Sequence, residues 1–161
     1  MTRLAFVLVI GVLSVGTLIG KTEEGDFNVT NFGAKGDGVT DDTASIQKAL
    51  DEAARVGGMV YLPPGKYLVK GNLNVPAGVA VVGASKSPRY NQPLTGTVIL
   101  ATNGRGNEEG EALFELHSST SVSGLTIYYP EQKVTDIRPY PWTFHLQGED
   151  TTVENVTLIN S

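Results

Sequence analysis

Between residues 41 and 56 the apolar side chains recur at helical spacing, and nearly everywhere else they alternate. Ile46, Ala49, Leu50 and Ala53 fall at i, i+3, i+4 and i+7, which gathers them on one face of a helix. Asp41 or Asp42 can cap its first amides and set a negative charge at the positive end of the dipole. Gly57-Gly58 supplies a C-terminal stop. The pattern predicts one amphipathic helix over about 42–56. Ahead of it, residues 27–32 alternate as a short strand that runs into Gly33, Gly36 and Gly38, expected to be tight turns. Behind it, strands are expected at 59–62, 67–69, 79–82, 97–101, 112–117, 122–128, 142–146 and 153–159. No second helical pattern interrupts them, which excludes alternating β-α units.

The strands repeat. Val122-Ser123-Gly124-Leu125-Thr126-Ile127 matches Val153-Glu154-Asn155-Val156-Thr157-Leu158, 31 residues later. Ahead of each lies a second match, residues 112–117 against 142–147, offset by 30. Two strands recurring in the same order at a nearly constant offset are the signature of a solenoid.

Composition agrees. There are 19 glycines and 8 prolines but only 18% charged residues, which suits short strands joined by tight turns. With 0 cysteines the chain has neither a disulfide framework nor a thiolate metal site. The formal net charge of −5, without a basic stripe, argues against a nucleic-acid partner. It also means that a polyanionic sugar would need a local basic groove. Residues 1–20 read as a signal peptide: Arg3 is the positive n-region, 4–15 the apolar h-region, and Ser14-Val15-Gly16 a small-x-small cleavage site. The uncharged stretch is slightly short for a membrane span of ~20 residues. Residues 21–26 form a polar linker, and 27–161 are one domain of an exported protein, secreted or periplasmic, with no membrane association after cleavage.

Little in these residues carries obvious chemistry. Asp41-Asp42 belongs to a helix cap, Asp37-Gly38 to a turn, and the glycines at 33, 36 and 38 do not meet a phosphate-loop spacing. No set of metal ligands and no catalytic residue can be assigned. If Phe114 and Leu116 point inward, Glu115 and His117 point outward, and the repeat places His145 one rung above Glu115. Neighbouring rungs lie ~4.7–4.9 Å apart, so these groups can act together on one sugar. The insertion at 129–141 adds Lys133, Asp136, Arg138 and Tyr140, a mixture of charge and aromatic surface suited to sugar binding. The substrate-binding set is therefore Glu115, Arg138, Tyr140 and His145. Trp142, aligned with inward Ala112, is expected in the core. Asn28-Val29-Thr30 and Asn155-Val156-Thr157 fit the glycosylation pattern but read better as ordinary strand residues.

Residues 29–69 resemble the opening of the pectate-lyase-like β-helix superfamily, which includes polygalacturonases, rhamnogalacturonases, some pectate lyases and phage tailspikes. The segments that carry the resemblance are Asn-Phe-Gly-Ala-Lys-Gly-Asp-Gly-Val-Thr-Asp-Asp-Thr at 31–43 and Gly-Gly-x-Val-Tyr-Leu-Pro-Pro-Gly-x-Tyr at 57–67. The resemblance implies an all-β, right-handed parallel β-helix whose N-terminal end is plugged by the one α-helix. It further implies an extracellular hydrolase or lyase acting on a pectin-like, uronate-containing polysaccharide. The Asn-Thr-Asp motif of the polygalacturonase-like enzymes is absent, and their later motifs do not occur in a catalytic setting. No cofactor is expected, and calcium would be needed only by a lyase. The β-helix is therefore expected to be incomplete, with its catalytic coils outside this chain. The alternative is a non-catalytic glycan-binding or structural β-helix, such as a spike stalk.

Overall fold

The computed structural model describes residues 26–84, 86–89 and 91–161. Residues 1–20, expected to be a signal peptide, and most of the expected linker at 21–26 lie outside them. Among the described residues no helix is long and apolar enough to cross a membrane.

Among the described residues thirteen strands are wound into three sheets. The first sheet stacks β1 (Asp26–Asn28), β3 (Gly58–Leu62), β6 (Val79–Gly83), β9 (Ser121–Ser123) and β12 (Thr152–Glu154) in that order. The second stacks β2 (Asp37–Asp41), β4 (Gly65–Val69), β7 (Thr97–Ala101), β10 (Thr126–Tyr128) and β13 (Thr157–Ile159). The third stacks β5 (Leu73–Val75), β8 (Phe114–Leu116) and β11 (Phe144–Leu146). All paired neighbours are parallel. The chain visits the sheets cyclically, so each turn lies on the one before: a right-handed parallel β-helix, the hand that parallel crossovers adopt. The repeat is in register, with Phe114 opposite Phe144, Val122 opposite Val153 and Thr126 opposite Thr157.

Inward side chains stack from coil to coil. Val60, Val81 and Val122 form one column, and Tyr67, Ile99 and Ile127 another, all buried. Each such side chain contributes roughly 1.5–3 kcal/mol through burial. Helix α1 (Thr43–Ala53) covers the first coil with Ile46, Ala49, Leu50 and Ala53, the face that the periodicity predicts. It is shorter than expected, because residues 54–56 form a turn before Gly57 takes a φ of +69°.

Three expectations need correction, and one strand, β5, was not expected. The strand at 27–32 ends at Asn28, whose side chain accepts from the Thr30 amide and hydroxyl and bends the chain into a 3-10 turn, Val29–Phe32. The glycine-rich stretch after it is not only turns, since β2 pairs with β4 across an irregularity. The strand β5 has only three residues and leaves no alternation to read. Residues 122–128 and 153–159 are each two strands, broken where Gly124 and Asn155 take φ of +72° and +51° and turn the corner between sheets. At Gly124 only glycine fits, for a Cβ would run into the Gly83 carbonyl oxygen.

The family-like segment is a structural clamp. Asp41 accepts from the Thr43 amide at 3.1 Å, at the start of α1. Asp42 turns the other way: fully buried, it accepts from the amides of Lys35 at 2.7 Å and Gly36 at 3.0 Å. It thus fastens the glycine loop rather than capping the helix. Tyr67 packs on Gly36 and donates to the Pro63 carbonyl at 2.9 Å. Burial, with the nearby Asp42 charge, pushes its phenol up to about 12.

Candidate functional site

Most corners of the helix are tight, but two connections from the second sheet to the third are long. Residues 102–113 and 129–143 follow β7 and β10 on successive coils and stack on one another. The Gly106 amide donates to the Pro139 carbonyl at 2.7 Å, and Pro141 sits so close to Gly104 and Gly110 that a Cβ at either would collide with it. Asp136 ties the pair together, accepting from Arg105 Nη2 at 2.9 Å and Arg138 Nε at 2.8 Å. These hydrogen bonds, Arg105 first and then Arg138, hold its carboxyl below the usual carboxylate range.

Beside the stacked loops, against β8 and β11, lies a groove of about 830 Å³. The register of the third sheet puts Asn74, Glu115 and His145 on successive rungs of its outer face. Glu115 is saturated with donors. Its Oε1 accepts from the Ala112 amide at 3.2 Å, and its Oε2 from His145 Nδ1 at 2.8 Å and Gln147 Nε2 at 2.7 Å. An ionised carboxylate can only accept, so this contact assigns the hydrogen to Nδ1. In the neutral imidazole Nε2 is then an acceptor, and among the described residues it has no hydrogen-bond partner. The Glu115 side chain is 15% exposed and that of His145 56%, so the carboxylate orients and the imidazole faces solvent.

Of the four residues expected to bind substrate, three line this groove: Glu115, Tyr140 and His145. Tyr140 packs edge-on to Tyr129, with ring centroids 4.7 Å apart, and its hydroxyl is buried without a partner. Burial, and then Glu131, raise its phenol above the ordinary value. Arg138 lies on the other side of Tyr140 and Pro141, in a smaller hollow with Gln132 and Ile137, and its guanidinium is occupied by Asp136.

Trp142 is not in the core. It is 77% exposed and forms part of the groove wall. The alternation that placed it inward presumes a strand from 142, whereas β11 begins at Phe144. Glu108 and Glu109, in the first long loop, also line the groove. Sequence reasoning passed over them because a loop without periodicity gives no direction to its side chains. Their one signal is the length of the interruption between residues 101 and 112. Among the described residues no group of three or more His, Cys, Asp or Glu side chains is placed to hold a metal ion.

Residues 27–161 match a family model described as rhamnogalacturonase A/epimerase, pectate lyase-like. Mannuronan C5-epimerase AlgE5 of Azotobacter vinelandii is 44% identical over 148 aligned positions, covering 83% of this chain and 14% of that protein. Alginate lyase 7 of the same organism is 42% identical over 148 positions, covering 83% and 16%. The chain thus spans about a seventh of the length of these relatives. Among solved structures, ORF18 of Geobacillus virus E2 is 32% identical, with a TM-score of 0.51, over 65% of this chain and 21% of that one. On the match over residues 27–161, this chain belongs to the rhamnogalacturonase A/epimerase, pectate-lyase-like family of parallel β-helix proteins.

Proposed function

We propose that this chain forms the first coils of an exported β-helix protein that binds and acts on a uronate-containing polysaccharide. The observation that carries the reading is the groove itself. A solvent-facing tryptophan, an oriented imidazole and a buried tyrosine converge on one wall, in a family whose relatives are named for mannuronan and alginate. Exposed aromatic rings stack on the apolar face of a pyranose, and the polar rim hydrogen-bonds its hydroxyls. Residues 1–20 are assigned to export. Hydrolase or lyase activity remains within the reading, and no residue described above is assigned to breaking a bond.

One observation favours a second reading, in which these coils bind glycan without transforming it. Epimerisation or elimination at C5 of a uronate removes a proton beside a carboxylate, and a cation must stabilise the charge that develops. Among the described residues neither Lys nor Arg lines the groove. The test is affinity electrophoresis of the full chain through gels containing alginate, polygalacturonate or dextran. Retardation by a uronate polymer and not by dextran is expected; equal mobility in all three gels overturns the proposal. Release of unsaturated or epimerised product separates the first reading from the second.

A further inference from the structure

We infer that His145, aimed by Glu115, is the residue that reads the carboxylate of a uronate in this groove, and that it does so as the imidazolium. The inference rests on the glycan reading above and deepens it by naming the recognising atom, Nε2. Nδ1 is tied to Glu115 Oε2 at 2.8 Å, so Nε2, on the far side of the ring, is the nitrogen left for a ligand. The side chain is 56% exposed and stands in the same groove wall as Trp142 and Tyr140. As an imidazole it offers a lone pair at Nε2, which meets a carboxylate oxygen as one acceptor meets another. As an imidazolium it donates from Nε2 and brings the charge that a uronate needs. Glu115 accepts from Nδ1 in either state, so proton uptake changes the charge of the ring without turning it.

Four other titratable groups of the described residues line this groove: Glu115 from β8, Glu108 and Glu109 from the loop after β7, and Tyr140 from the loop after β10. Glu108 and Glu109 are exposed and oppose an anionic ligand, so the attraction has to come from a donor in the wall. Histidine is the side chain whose charge ordinarily changes between about pH 5 and 8. The chain has 2 histidines. The other, His117, is outside the groove lining, and its Nε2 lies 2.7 Å from Asn74 Oδ1. A proton taken up with uronate in that range therefore belongs to His145. Glu115 acts through His145 and is a positioning residue; no bond-breaking step is assigned to either.

Binding of oligomannuronate, and of a neutral manno-oligosaccharide of equal length, to the full chain is measured by calorimetry from about pH 5.5 to about pH 8. Uronate binding should weaken about tenfold as pH rises through that range, the margin of a charge-assisted hydrogen bond over a neutral one. It should also take up protons, read as a heat that changes with the ionisation enthalpy of the buffer. The neutral sugar should show neither effect. His145→Gln should abolish both, and His117→Gln should keep both. Glu115→Gln retains an acceptor for Nδ1 but removes the negative charge beside the ring, so the fall in uronate binding should move to lower pH. A merely structural Glu115 would leave that fall where it is. Uronate binding that is level with pH, a pH dependence that survives His145→Gln, or the same dependence for the neutral sugar would overturn the inference. If uronate gels still retard the chain, the broader glycan reading stands. Neither binding nor retardation at any pH removes both.

Discussion

A coil flanked on both sides and its neighbour furthest from α1 carry the same pattern of residues and differ in what lies above them. Leu116 and Ile127 are fully buried, whereas their register partners on the next coil, Leu146 and Leu158, are 51% and 44% exposed. Strand direction, spacing and side-chain type do not account for the gap. In a solenoid each coil supplies only half of the interior that its residues occupy, and the neighbouring layer supplies the rest. At the first coil that layer is α1; beyond the last described coil no described residue provides one. Alternation therefore predicts which side chains face the axis, and says nothing about how dry they become.

The sharpest way to break this comparison is to truncate the same residue on both coils. Leu116→Ala leaves a cavity in a closed interior and should cost about 3–4 kcal/mol. Leu146→Ala removes a side chain that water already reaches and should cost under about 1 kcal/mol. Urea unfolding of the two variants checks the difference. Equal losses would mean that another layer covers Leu146 in solution.

A smaller effect is expected from Asp42→Ala. Without the carboxylate the amides of Lys35 and Gly36 lose charge-assisted partners, and the glycine loop comes away from α1, at a cost of about 2–3 kcal/mol. Asp42→Asn keeps one acceptor and should recover part of that loss. Asp41→Ala, which removes only the exposed contacts to Thr43, should cost about 1 kcal/mol. If Asp41 proves the costlier of the two, Asp42 is not the fastening that holds the plug.

How much of this was legible in the chain follows from the same physics. The helix, the repeat and its register were readable because each depends on spacing along one segment. The rung that pairs Glu115 with His145 followed directly from the 30-residue offset. The direction of Asp42 was not readable, since an aspartate at a helix start can cap the helix or serve a loop seven residues back. Nor was the exposure of Trp142, because a loop residue two positions before a strand owes nothing to that strand's alternation. The contact of Arg105 with Asp136 was equally out of reach, for it joins loops 31 residues apart on successive coils.

The smallest effect tests the edges of the third sheet. Its first strand, β5, would expose an unpaired edge, but the Gln47 side chain of α1 closes it. Gln47 Nε2 donates to the Asn74 carbonyl at 3.0 Å, and its Oε1 accepts from the Asn74 amide at 2.9 Å. One side-chain amide thus occupies the positions that a preceding strand would fill, which blunts the edge against pairing with other chains. At the other edge, among the described residues, β11 has no neighbour beyond it. Gln47→Ala should cost about 1 kcal/mol, the net worth of a typical hydrogen bond. It should also speed hydrogen exchange at the Asn74 amide while leaving that of Leu116 at the global rate. Gln47→Glu keeps the acceptor for the Asn74 amide and loses the donor to its carbonyl, so that amide should stay protected. Unchanged exchange at Asn74 in the alanine variant would mean that α1 closes the core by its apolar face alone.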